Sequence, residues 1–187
     1  MALKCNKCYF TFGRFQPPTT GHAENFKAVK NTAKGCDWFI YLSQSVDSKG
    51  SNPLDPDRKL YYAKKMFPNF AKHFRSGPKD PVAILKELQT EGYDDAMFVV
   101  GSDRVQAMQW VKKYNGKEFF FRKLDVISSG DRDADGDTFA ISGTKMRRAA
   151  VANDFDTFRK GIPKGLNDKD TRKMMEEIQS NMPKLYK

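Results

Sequence analysis

At 187 residues, 39% hydrophobic and 30% charged, the chain is long enough to bury one core and reads as a folded, soluble protein the size of a single α/β unit. No apolar run approaches the roughly 18 residues that a membrane-spanning helix needs. The opening Met1-Ala2-Leu3-Lys4-Cys5 lacks a signal-peptide core, so no membrane association and a cytoplasmic location are expected. The net charge of +10 fits a nucleic-acid surface or a site for a polyanionic nucleotide, but the lysines and arginines are spread along the chain without a dense block or an aromatic-interleaved stripe.

The cysteines are Cys5, Cys8 and Cys36. Cys5 and Cys8 form one CxxC, yet no second pair or His/Cys cluster follows to complete a zinc site. Three unpaired thiols in a reducing compartment are expected.

Taken in order, strand and helix signals alternate. Cys8-Tyr9-Phe10-Thr11-Phe12 is rich in types suited to a buried strand. Gly13-Arg14-Phe15-Gln16-Pro17-Pro18-Thr19-Thr20-Gly21-His22 follows, and the two prolines forbid a helix before Thr19. Helical spacing then runs through Ala23, Phe26, Val29 or Lys30, and Ala33. His22 is therefore expected at a helix N-terminus beyond the first strand, where backbone N–H groups and the helix dipole favour a phosphate. An ordinary turn with a capping histidine is the plain alternative. Trp38-Phe39-Ile40-Tyr41-Leu42 reads as the second strand. The polar loop from Ser43 to Pro56 stands where open α/β sheets bind ligands, although a plain surface loop also fits.

Asp55 or Asp57 is set to cap the next helix, with Leu60, Ala63, Lys64 and Phe67 along one face and Pro68 ending it. A weak strand, Lys72-His73-Phe74, follows, and His73 reads as structural. Pro81 opens a helix through Val82, Leu85, Leu88 and Gln89 that Gly92 stops. Ala96-Met97-Phe98-Val99-Val100 is the clearest fully buried strand. Gly101-Ser102-Asp103-Arg104 comes directly after it and opens a helix bearing Val105, Met108, Val111 and Lys112. Gly101 lets the backbone approach a ligand, and Asp103 either binds that ligand or caps the helix. Lys123-Leu124-Asp125-Val126-Ile127 is the fifth strand.

The acidic stretch Asp131-Arg132-Asp133-Ala134-Asp135-Gly136-Asp137 imitates half of a calcium loop, but its twelfth position is Ser142 and not a bidentate glutamate, so a polar loop is the better reading. In Ile141-Ser142-Gly143-Thr144-Lys145-Met146-Arg147, Ser142 is a good N-cap. The hydroxyls of Ser142 and Thr144 and the first-turn N–H groups form an anion cradle, and Arg147, one turn on, brings donors suited to phosphate oxygens. The tail from Asn153 holds Phe155, Phe158, Ile162 and a final helix near Asp168 to Met182, whose methionines read as a packing stripe.

The two polar stretches together resemble the signatures of the nucleotidylyltransferase superfamily, which includes the cytidylyltransferases and NMN adenylyltransferases. Thr19-Thr20-Gly21-His22 resembles HxGH with threonine in the first place, and Ile141 to Arg147 resembles ISSTxxR with glycine for the second serine. Gly-Arg-Phe-Gln-Pro looks like the opening of the adenylyl-transferring branch. The Asn52-Pro53-Leu54 loop, the Val-Gly-Ser-Asp-Arg turn and the acidic loop are similar to those of enzymes encoded by tailed bacteriophages.

The resemblance implies a single α/β domain over 1–187: a Rossmann-like open parallel sheet of about five strands with helices on both faces in a core of about 7–152, then a C-terminal helical tail. It implies transfer of a nucleoside monophosphate, adenylyl from ATP, to a small phosphate- or hydroxyl-bearing acceptor with release of pyrophosphate. His22, Thr19 and Arg147 would be catalytic, and Gly13, Arg14, Phe15, Gly21, Gly101, Asp103, Ser142 and Thr144 would bind the nucleotide. Mg²⁺ would arrive through the nucleotide phosphates, with no metal site built by the protein. Partners would be the triphosphate and a small acceptor, not nucleic acid, with oligomeric state left open. A cytidylyltransferase using CTP, or a virion-associated binding protein that keeps the fold, are the competing readings.

Overall fold

The computed structural model describes residues 5–47, 49–130 and 142–183, so the acidic stretch from Asp131 lies outside the described residues. The β-rich runs read in the sequence become strands, buried throughout in the centre and on alternate residues at the edge. They are β1 (Lys7–Gly13), β2 (Asp37–Leu42), β3 (Phe74–Arg75), β4 (Asp95–Val100) and β5 (Lys123–Ser128). Their order is β3-β2-β1-β4-β5, and β1–β4 and β4–β5 pair in parallel. The fold is α/β and Rossmann-like, an open parallel sheet with helices on both sides. All six residues of β4, the predicted buried strand, are buried. The β1–β4 register runs from Lys7↔Asp95 to Phe10↔Phe98; Gly13 ends β1 and Gly101 stands just past β4.

The chain divides into two compact units. The first comprises Met1–Gly13, Glu24–Tyr41 and Gly77–Arg132, and the second Arg14–Ala23, Leu42–Ser76 and Asp133–Lys187. The first is built on an aromatic core. Phe10 stacks on Phe98 at 4.6 Å between ring centres and meets Tyr41 edge-on at 6.2 Å. Ile84, Leu85 and Leu88 of α3 (Pro81–Thr90) close over it, with Phe119, Phe121 and Val126. Cys5 and Cys36 form a disulfide here, which corrects the expectation of three unpaired thiols. They precede β1 and β2, neighbours in the sheet, which brings their Cα atoms to 5.4 Å, within bridging range. Cys8 is buried outside the disulfide, its Sγ donating to Asp95 O at 3.7 Å.

Helices dominate the second unit: α2 (Pro56–Met66), α5 (Gly143–Val151), α6 (Phe155–Lys160) and α7 (Asp168–Asn181). Met174, Met175 and Ile178 of α7 are buried, the packing role their spacing predicted. Asp55, not Asp57, caps α2 by accepting from the N–H groups of Asp57 and Arg58. The predicted face of α2 is out of phase by one residue. Lys59, Tyr62, Ala63 and Met66 are buried, while Leu60 is half-buried and Lys64 exposed.

Other expectations are corrected too. Lys72 and His73 end a 3₁₀ helix, Pro68–His73, and leave β3 only two residues long. The helix expected from Val105 to Lys112 stops after one turn, α4 (Val105–Met108), and continues as 3₁₀ to Tyr114. Completing the set, α1 is His22–Ala33.

Candidate functional site

The loop leaving β1 is fixed by buried polar side chains of the second unit. Phe15 takes a left-handed backbone, φ 46°, which is costly for a bulky residue and persists only when its surroundings impose it. The Gln16 side chain, 3% exposed, pairs with both backbone groups of Leu54: its Oε1 accepts from Leu54 N at 2.9 Å and its Nε2 donates to Leu54 O at 3.3 Å. Lys59 Nζ donates to Arg14 O at 2.7 Å, Ser43 O at 2.8 Å and Ser43 Oγ at 3.0 Å. Its ammonium is fully buried, and that burial pushes its pKa down to about 8.

His22 opens α1 as expected. The Thr19 N–H donates to His22 Nδ1 at 2.9 Å, and the Thr19 hydroxyl lies 3.3 Å from the same nitrogen. Because Nδ1 accepts, the neutral ring carries its proton on Nε2 and presents that atom as a donor. Phe15 packs edge-on against the imidazole at 4.8 Å. Thr19 is 2% exposed, so its hydroxyl faces the ring and not solvent. Gly21, half-buried, joins Thr20 to the helix.

The second polar stretch meets the first. Ser142 caps α5, its Oγ accepting from Lys145 N at 3.2 Å. Arg147 Nη1 donates to Gln16 O at 2.8 Å, and its Nη2 donates to Thr144 Oγ1 at 3.2 Å. Gly143 explains its own departure from the serine of the resembled motif. A Cβ there would stand 3.1 Å from Arg147 Nη1 and 3.2 Å from Gln16 O, crowding the bond that joins the two stretches. Thr19, His22, Ser142, Thr144 and Arg147 therefore share one unit with Arg14, whose side chain is exposed.

Gly13, Gly101 and Asp103 belong to the first unit. Gly101 is the N-cap of the short turn Ser102–Arg104 and no side chain caps that turn, so the capping role considered for Asp103 is not the one it takes. In the Ser43–Pro56 loop, an open cleft of about 450 Å³ is lined by Val46, Asp47, Asn52, Pro53, Asp55 and Asn181. The Asn52 amide, followed by backbone N–H groups of Ser51 and Lys49, holds the Asp47 carboxyl below its usual range. Two carboxylates at its rim make this cleft unsuited to a phosphate. Among the described residues, no group of three or more His, Cys, Asp or Glu side chains is placed to hold a metal.

Sequence reasoning missed the roles of Gln16 and Lys59. Lys59 had a signal, since it falls on the stripe of Tyr62, Ala63 and Met66 at helical spacing.

The loop after β1 and the first turn of α5 meet within one unit through the bond from Arg147 to Gln16 O. The profile of the Cytidylyltransferase-like family matches residues 10–149, and the chain belongs to that family. It is a nucleotidyltransferase. Among solved structures it is similar to the nicotinic acid mononucleotide adenylyltransferase of Plasmodium falciparum complexed with NaAD (13% identity, TM-score 0.57, 90% of this chain and 94% of that one). With APC bound, the same enzyme aligns with 13% identity, a TM-score of 0.56 and the same coverage. Thermotoga maritima TmcAL bound with alpha-thio ATP aligns with 11% identity and a TM-score of 0.54, over 95% of this chain and 56% of that one. At such identities these likenesses show the fold. No curated protein matches the chain.

Proposed function

We propose that the protein transfers adenylyl from ATP to a small acceptor bearing a phosphate or hydroxyl. The reading rests chiefly on the hydrogen bond between Arg147 and Gln16 O, which ties the guanidinium to the loop that leads into His22. An acceptor oxygen attacks the α-phosphorus in line, a new P–O bond forms, and the bond to the β-phosphate oxygen breaks to release pyrophosphate. Such transfers need little covalent help, and positioning and charge neutralisation carry them.

His22 donates from Nε2 to an α-phosphate oxygen as charge develops there. Thr19 acts through His22, holding Nδ1 as an acceptor and so fixing the tautomer. The first turn of α5, with Thr144 and Arg147, holds the β- and γ-phosphates and the departing pyrophosphate. The Ser142 hydroxyl donates as well, since its cap uses it only as an acceptor. Arg14 lines the mouth, with Phe15 and Gly21 shaping the loop. Among the described residues, the groups bonded around His22 and Arg147 are N–H groups, hydroxyls and a backbone carbonyl, a set that suits phosphates better than a bare cation. Mg²⁺ enters as part of the MgATP substrate, bound by phosphate oxygens.

Pyrophosphate release from ATP, CTP, GTP and UTP, each with nicotinic acid mononucleotide, NMN and a hydroxyl-bearing phosphate ester, tests this. ATP is expected to lead. Release from none of these pairs, or a lead for CTP, would overturn the adenylyl reading.

A further inference from the structure

The first unit carries a surface that nucleotidyl transfer does not use. Between Gln109 and Lys123 three rings are exposed, Trp110 and Tyr114 at 38% and Phe120 at 65%. The segment is built, not loose. Lys117 N and Glu118 N donate to Tyr114 O at 3.0 and 2.9 Å, and the Asn115 amide pairs with both backbone groups of Phe121 at 2.8 and 3.1 Å. Phe120 N donates to Gln89 Oε1 at 2.9 Å. With Phe119 at 0% and Phe121 at 6% exposure turned into the core, Phe120 is held outward by the alternation. Trp110 and Tyr114 stand edge-to-face at 5.9 Å.

The same segment carries five cations, Lys112, Lys113, Lys117, Arg122 and Lys123. Lys112 pairs with Asp125, Arg122 with Asp95, and the one acid of the segment, Glu118, with Lys86. Lys113, Lys117 and Lys123 are exposed and make no ion pair among the described residues. This corrects the reading that no aromatic-interleaved basic stripe exists: five aromatic residues alternate with five cations from Trp110 to Lys123, and folding leaves three of the rings in water.

We propose that this exposed segment binds a single-stranded nucleic acid, with bases stacked on Trp110, Tyr114 and Phe120 and phosphates met by Lys113, Lys117 and Lys123. Charge complementarity selects this occupant: a purely apolar partner would have to desolvate the lysines, and a duplex keeps its base faces stacked inside. Aromatic platforms with flanking cations are the recurring means of holding a single strand. The inference does not depend on the transfer reaction.

The test is fluorescence anisotropy of labelled dT20 and rU20, with a duplex of equal length as control, in about 50 and 200 mM salt. Tryptophan emission is read alongside, since Trp38 is 6% exposed and a stacked base reaches only Trp110. Single strands are expected to bind, quench the emission and outcompete the duplex. Trp110→Ala and Phe120→Ala should each weaken binding about 5- to 150-fold, as loss of one stacked base implies. Lys113→Gln with Lys117→Gln should lower the salt slope by about 1.4. The sites are exposed, and circular dichroism on each variant verifies that it stays folded. No binding at the lower salt, or equal binding by folded ring variants, overturns the proposal. So does a dimer in sedimentation that Phe120→Ala dissolves while no strand binds.

Discussion

Phe10 and Lys59 are both fully buried, and they hold their surroundings by different means. Phe10 sits in the first unit among rings and aliphatic side chains, where area removed from water does the work and direction matters little. Lys59 sits in the second unit and holds two loops by three directed hydrogen bonds. Of the eight buried polar or charged residues described, Gln16, Thr19, Ser43, Asn52, Lys59 and Thr171 belong to the second unit, and only Thr11 and Asp95 to the first. Apolar packing gives a sheet its stability. Directed bonds give a loop one geometry, which a phosphate site needs.

The largest effect expected is on the packed side of this contrast. Phe98→Ala removes a ring 2% exposed and stacked on Phe10, and should cost about 3–5 kcal/mol in urea unfolding. Activity per folded molecule should stay unchanged. On the polar side the order reverses: His22→Ala and Arg147→Ala should each lower turnover about 10²–10³-fold while moving stability little.

Lys59 sharpens the comparison through pH. Its pKa falls from an ordinary 10.5 to about 8 on folding, so between these values the unfolded chain binds more protons and stability rises with pH. Wild type should gain about 1.5 kcal/mol between about pH 8 and 9.5, and Lys59→Met should lose that rise. Tyr62, raised by burial, acts in the opposite direction above its ordinary value of 10, outside this window. The smallest effect is Gly143→Ser, which restores the resembled motif yet crowds Arg147 and Gln16 O. A nucleotide affinity about tenfold weaker, or 1.4 kcal/mol, is expected in calorimetric titration.

The apolar strands were legible because periodicity and residue type agree, as in Asp95–Val100. The cap of Ser142 was legible, and that of α2 was narrowed to Asp55 or Asp57, because a short side chain before a helix has few other uses. Errors came where tertiary bonds decide. The phase of α2 depended on a lysine acting as a core residue, and the disulfide of Cys5 and Cys36 depended on which strands are neighbours. At the candidate site, types and order were readable in Thr19, His22, Ser142 and Arg147. The Gln16 clamp was not, because an amide bonding a backbone far along the chain leaves no local pattern.

A double-mutant cycle on His22 and Arg147 tests the central claim most directly, with ATP turnover measured for wild type, His22→Ala, Arg147→Ala and the pair. If both groups stabilise one transition state, each single variant loses about 10²–10³ and the pair loses clearly less than the product of the two. Wild-type turnover in either folded single variant would contradict the account.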